Sequence, residues 1–570
     1  MPPDFRLKSA ALALSVLAAA GAGLHAQAPG AAADRAVMLP AMVVQGAAWR
    51  YAQPAGFEVI SLWSDSRTRT FANALLSAKQ LFDLLLPPEF QAQFSVPTAY
   101  VLVPDNGTES LSAPLMAELL SHAKVPGSTP DQQPSVRFLP NLLLWDRDSL
   151  VVFVQSSPSI NDGHMVFSND RVALALERRV PALPGWFSAG FLTVYNAMEY
   201  GQDDAGIGPA GWMSRDQATA LAEDPESPRQ LLPLADLFAG PVPGGPAEAP
   251  TRALLRREEA ALFIRWALDG DGAPHKAALW KFVSEASAGP VSEGRFEALF
   301  GEDYVSVLND LSDYLPWALT HSLRLTSVPA PVDTEIRMRD ATPAEVGRIK
   351  GDWERLEMNR VALEFPQLAP RYREHAQETL RLAYQENKTD PGLLAVMALF
   401  DLDCGKPGPA DPYLRTAAAG RVVRPRVYYE LARMLFSELI KAQPDSAQAH
   451  LTPIQAATLL GLLDQARAQS PALPEVYGLY FAIAEAAAAQ PTPALLNVFS
   501  DGARLFPGNA PLIYDAAVML ARSGDIDAAN NFLQKGLGVA AEPALRTRMA
   551  RLQAALAPAL KSQSGPPAVQ

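Results

Sequence analysis

The sequence predicts an α+β domain, strands first and helices after, followed by an all-α domain of helical repeats. Three observations lead to this. Apolar residues alternate between about Trp49 and Ser168 and take helical spacing from Asn169 onward. A segment with two prolines, Pro329 and Pro331, and mixed charge, Ser327 to Asp340, interrupts the pattern. Beyond it, helices are repeatedly opened by Thr-Pro or Asp-Pro. A chain of 570 residues also exceeds a typical domain of roughly 100–150 residues, so more than one domain is expected.

In order along the chain, Arg6 and Lys8, an Ala- and Leu-rich run from Ser9 to Leu24, and Ala26-Gln27-Ala28 read as an export signal over 1–28. The mature protein is therefore expected to be secreted or periplasmic. A flexible segment is expected over 29–48. Phe57 to Leu62, Thr98 to Val103 and Ser149 to Gln155 read as strands, and Arg69 to Leu86 as a helix with Phe71, Leu75, Leu76, Leu81 and Leu85 in register. Arg256 to Leu268 carries Ala260, Phe263, Ile264 and Ala267 on one helix face. These elements define a first domain over 49–326, with a linker at 327–341.

Thr342-Pro343-Ala344-Glu345 opens the second domain, 342–557: a Thr cap, a Pro in the first turn and a Glu able to reach back to the cap amide. Asp390-Pro391, Thr452-Pro453 and Thr492-Pro493 repeat the punctuation. Leu495 to Pro507 aligns with Ala529 to Ala541 at an offset of 34 residues, matching Phe499 with Leu533 and Gly502 with Gly536. Gly524, with Ala529 five residues later, resembles the turn glycine and small crossing residue of tetratricopeptide repeats, and Arg504 to Asn509 resembles the break between repeats. A disordered tail is expected over 558–570.

Composition excludes several functions. Apolar residues make up 49% and charged residues 19%, which is ordinary globular composition. A net charge of -13 gives no support to nucleic-acid binding, and no apolar run of spanning length follows the first segment, so no stable membrane insertion is expected. The single cysteine, Cys404, rules out an intrachain disulfide and cysteine-rich zinc sites.

One motif stands out in the first domain. Pro184, Trp186, Ser188 and Gly190 resemble the segment that opens the third-ligand helix of gluzincin-type zinc peptidases. That resemblance puts the third ligand at Ala189, and an ungapped count of 20 residues back puts the His-Glu-x-x-His positions at Asn169, Asp170 and Ala173. None of the four is the required residue. The seven histidines include no pair four apart, so two imidazoles cannot share one helix face. The resemblance therefore implies a degenerate, inactive domain with no catalytic residue, no metal and no cofactor. The alternative is a hydrolase with an unorthodox site near His164, Asp170 and Glu177. No Gly-rich phosphate loop or nucleophile elbow occurs. The expected function is that of an exported, non-catalytic protein whose helical-repeat surface binds an unknown protein or peptide.

Overall fold

The computed structural model describes residues 48–86, 97–103, 141–155, 169–200, 205–213, 231–239, 250–269, 274–325, 334–364, 366–367, 369–443, 450–488 and 490–563. The export signal and the segment over 29–48 lie outside the described residues, apart from Ala48.

The N-terminal half is built on a six-stranded sheet: β1 (Arg50–Ala52), β2 (Glu58–Ser61), β3 (Thr98–Val103), β4 (Asn141–Trp145), β5 (Leu150–Gln155) and β9 (Arg339–Asp340), in the order β4-β5-β3-β2-β1-β9. β2, β3 and β5 run parallel, while β4, β1 and β9 pair antiparallel to their neighbours. The first parallel pair needs a crossover, supplied by α1 (Asp65–Leu84). Ser64 caps this helix by accepting from the Arg67 amide at 3.3 Å.

Side chains alternate across the sheet. Val59, Tyr100, Leu102, Val152 and Val154 belong to the large core with Phe71, Leu75 and Phe82 of α1. Ile60, Val101, Val151 and Phe153 belong to a second core with Ile349 and Trp353. Both faces are covered, so the central strands read as continuous apolar runs.

Around the first face pack α2 (Asn169–Glu177), α3 (Gly185–Asn196), α4 (Leu234–Ala239), α5 (Pro250–Leu268), α6 (Lys276–Ala288), α7 (Glu293–Phe300) and α8 (Tyr304–Ala318). A small sheet of β6 (Met198–Tyr200), β7 (Ala205–Ile207) and β8 (Leu323–Arg324) completes this half.

The C-terminal half is all helix: α9 (Pro343–Glu364), α10 (Ala369–Glu386), α11 (Pro391–Asp403), α12 (Pro407–Ala419), α13 (Pro425–Lys441), α14 (Pro453–Arg467), α15 (Pro474–Ala486), α16 (Pro493–Leu505), α17 (Ala510–Ser523), α18 (Ile526–Val539) and α19 (Pro543–Gln563). The expected starts are formed. Thr342 accepts from the Glu345 amide at 3.2 Å while Glu345 accepts from the Thr342 amide at 2.9 Å. Asp390, Thr452 and Thr492 each cap the helix that their following proline begins.

Three differences from the sequence reading concern boundaries. Arg339 and Asp340, inside the expected linker 327–341, pair with β1, because an edge strand offers unsatisfied backbone groups. Helix α9, expected to open a separate domain, covers the second sheet face through Ile349 and Trp353; the Trp353 ring lies 5.0 Å from that of Phe153. Helix α19 continues past 557 through Pro558 to Gln563, supported by Ala555, Leu556, Ala557, Ala559 and Leu560.

Candidate functional site

The residues singled out near Trp186 fall on α2 and α3, which pack against each other. Asp170 and Glu177 are exposed on α2, and Ala173 on α2 and Ala189 on α3 are half-buried. The side chain of Asn169, and the whole of His164, lie outside what the structure describes. Pro184 stands at the N-cap of α3. Trp186 is buried in an aromatic cluster, 5.0 Å from Phe238, 5.7 Å from Phe282 and 5.8 Å from Phe263. Gly190 lies where α3 crosses α5: a Cβ there would sit 2.7 Å from the Ala260 carbonyl carbon, so only glycine allows this approach. Packing therefore accounts for Trp186 and Gly190. Among the described residues no group of three His, Cys, Asp or Glu side chains is placed to hold a metal ion.

A second cluster joins the halves. The turn between β4 and β5 carries Asp146, Asp148 and Ser149 against the repeat half. Arg355 of α9 contacts Asp146 at 2.8 Å, Asp352 at 2.9 Å and Asp403 at 2.8 Å. Arg424 bridges Asp148 at 3.3 Å and Asp352 at 3.0 Å, and Arg426 pairs with Asp146 and Asp403. Burial alone would raise the Asp146 pKa, but Arg355, Arg426 and Arg424 hold it well below the usual carboxylate range. Burial raises Asp148, and the Asp146 charge adds to that effect. Nearby, Arg348 of α9 holds Glu58 of β2 at 2.6 and 3.0 Å. These groups are mutually neutralised and most are buried, so the cluster fastens the two halves rather than offering a reaction centre.

The remaining candidate is the repeat surface. Helices α9/α10, α11/α12, α13/α14, α15/α16 and α17/α18 pack as hairpins, and the first helix of each also packs on the first helix of the next, ending with α17 on α19. The 34-residue offset is visible in the packing of the second helices: Leu495 and Ala529, and Phe499 and Leu533, are buried. A Cβ on Gly502 would lie 2.7 Å from the Tyr477 ring, and one on Gly536 2.7 Å from the Met549 methyl. Gly524 ends α17 in a left-handed turn with φ +89°. The C-terminal half is a tetratricopeptide-like helical repeat.

On its row of first helices, α15, α17 and α19 bring together Glu485, Tyr514, Asp515, Arg522 and Arg548. Arg522 of α17 is ion-paired with Glu485 of α15. The Arg548 guanidinium of α19 lies 5.1 Å from the centroid of the Tyr514 ring. Asp515 is half-buried; burial pushes its pKa up to about 8, with Arg548 opposing and Glu485 adding to the rise. Sequence reasoning missed this group, because its members are scattered over three helices whose pairing only the stacked fold defines.

No protein-family model matches the chain, and no curated protein matches it in sequence. Solved structures similar to part of it include YrrB, described as a TPR protein with an unusual peptide-binding site, at 15% identity over 35% of this chain and 93% of that one, TM-score 0.26. TTC0263, a thermophilic TPR protein in Thermus thermophilus, is similar at 20% identity over 34% and 97%, TM-score 0.23. Pseudomonas aeruginosa pilF is similar at 18% identity over 38% and 94%, TM-score 0.25.

Proposed function

We propose that this is an exported, non-catalytic protein- or peptide-binding protein, with an inactive peptidase-like N-terminal half and a tetratricopeptide-like half that supplies the binding surface. The observation that carries the reading is the row of first helices at the C-terminal end, where Tyr514, Asp515, Arg522 and Arg548 form a mixed polar and aromatic face. Stacked repeats use extended surfaces of this kind to hold partners. The N-terminal half contributes Ala173 and Ala189 where zinc ligands would be needed, and neither side chain can bind a metal. Export rests on Arg6, Lys8, the apolar run and Ala26-Gln27-Ala28. No helix among the described residues is long and apolar enough to cross a membrane.

The test is a pull-down from an envelope extract with the mature chain as bait, beside a bait carrying Tyr514→Ala and Arg548→Ala. A partner retained by the parent and lost from the folded double variant supports the reading. A partner set identical for both baits places binding elsewhere. N-terminal sequencing of the native protein should start within about two residues of Gly30.

A further inference from the structure

We propose that the outward face of α19 docks an acidic peptide segment of a partner protein; this surface lies apart from the face around Tyr514 and does not rest on the role proposed for that face. Helix α19 closes the repeat row. Leu545, Met549 and Leu556 bury one side of it in the core shared with α17 and α18. Pro543, Thr547, Ala550 and Ala554 lie on the opposite side and are exposed, bordered by Arg546 and Arg551. These residues line an open trough of about 510 Å³. The Thr547 hydroxyl donates to the Pro543 carbonyl at 2.9 Å, so the floor of the trough is apolar in effect. The terminal helix of a repeat array ordinarily carries a polar outer face, since no further repeat covers it. A floor of small residues instead lets another chain approach closely.

Charge defines the occupant. Every arginine within α12 to α17 is ion-paired with a carboxylate, as Arg504 is with Asp501 and Arg522 with Glu485. Helix α19 contains Arg546, Arg548, Arg551 and Lys561 but no Asp or Glu. Arg546 donates to the Ala540 carbonyl at 2.7 Å, and neither Arg546 nor Arg551 has an ion pair among the described residues. In a chain of net charge -13, the trough is therefore a local excess of positive charge. A guanidinium pairs with a carboxylate through two parallel hydrogen bonds, and such a pair is stronger than one between neutral groups. Carboxylates on Arg546 and Arg551, with small side chains against Ala550 and Ala554, match a segment rich in Glu or Asp and Ala. The acidic remainder of the chain opposes such a partner at long range, but at about 0.15 M salt it is screened beyond about 8 Å.

The test uses the full mature chain and three short fluorescein-labelled peptides in which Ala alternates with Glu, Gln or Lys. Binding is followed by fluorescence anisotropy at about 0.15 M salt. The Glu peptide should bind tightest, and Arg546→Gln combined with Arg551→Gln should weaken it by about tenfold or more. Arg551→Lys, which keeps the charge, should weaken it less than Arg551→Gln does. Lys535→Gln, which removes a cation from α18 outside the trough, should leave it unchanged. Circular dichroism confirms that each variant is folded. Equal binding of the Glu peptide to the parent and to the folded double variant overturns the proposal. So does a preference for the Gln or Lys peptide, binding of none of the three, or an equal loss with Lys535→Gln. Loss with Tyr514→Ala and retention by the arginine double variant would move the acidic segment to the face around Tyr514, against the assignment to α19. Sedimentation of the parent alone tests the remaining occupant: self-association that the arginine double variant abolishes would assign the trough to a second copy and overturn the partner named here.

Discussion

Asp148 accepts a hydrogen bond from the backbone amide of Arg426 at 3.0 Å, so a turn of the N-terminal half caps α13 of the repeat half. Arg424, at the N-cap position of α13, provides no capping side chain of its own. Asp148→Ala should leave that amide unsatisfied and deprive Arg424 of one carboxylate, costing about 1–3 kcal/mol. Asp148→Asn keeps an acceptor and should cost less. Denaturant unfolding of both variants checks the order, and hydrogen exchange should show the loss concentrated in the first turn of α13.

The crossing of α3 and α5 leaves no room at residue 190. Gly190→Ala should force the two backbones apart and destabilise the N-terminal half by roughly 1–3 kcal/mol. The check is a shift in the denaturation midpoint, with an unchanged midpoint counting against the close approach to Ala260.

Ala529 is fully buried where α17 and α18 pack together. Ala529→Leu should overpack the crossing by about 1–3 kcal/mol and lower the melting temperature. A neutral result would mean that the second helix of this repeat tolerates a larger residue than the register implies.

Acid should weaken the joint between the halves. Burial opposes ionisation of Asp146, Asp352 and Glu345, yet the arginines beside Asp146 and Asp352 keep both low. Arg339 and Thr342 bring Glu345 to about 2. Carboxyls with a lower pKa in the folded state stabilise the fold at pH values above their unfolded pKa of about 4, and lose that contribution as pH falls toward the folded value. Thermal unfolding should show stability declining between about pH 4 and pH 2. Arg355→Met should shrink the acid-sensitive part, because it removes the guanidinium that serves Asp146, Asp352 and Asp403.

The degenerate-site proposal is tested by restoring ligands. Asn169→His, Asp170→Glu, Ala173→His and Ala189→Glu together should let α2 and α3 bind about one zinc per chain, with water completing the tetrahedral set. Ala189→Glu alone should bind none tightly. A folded fourfold variant with no more zinc than the parent would return Pro184, Trp186 and Gly190 to a packing role only.

Much of the local structure was legible in the sequence. Thr98 to Val103 was readable as a strand because its residues are apolar or β-branched. The starts of α9, α11, α14 and α16 were readable because a cap and a following proline act within one turn. Strand β4 was missed as a separate element, and so was the pairing of Arg339 and Asp340 with β1, since a two-residue edge strand has no periodicity to detect. For the candidate site, the sequence marked Trp186 and Gly190, and the structure accounts for both by aromatic packing and helix crossing. The face around Asp515 left no mark, because Glu485, Asp515 and Arg548 belong to three separate helices and share no local spacing.

The sequence by itself determined the helix starts, the principal strands, the 34-residue register and the lack of a His-Glu-x-x-His motif. These follow from interactions within a turn or a strand, and from residue identity. Only the tertiary structure decided that α9 covers the sheet and that Asp148 caps a helix of the other half. Each of these depends on which distant segments exclude water from one another, and burial and pairing of charge are properties of that assembled environment rather than of neighbouring residues in the chain.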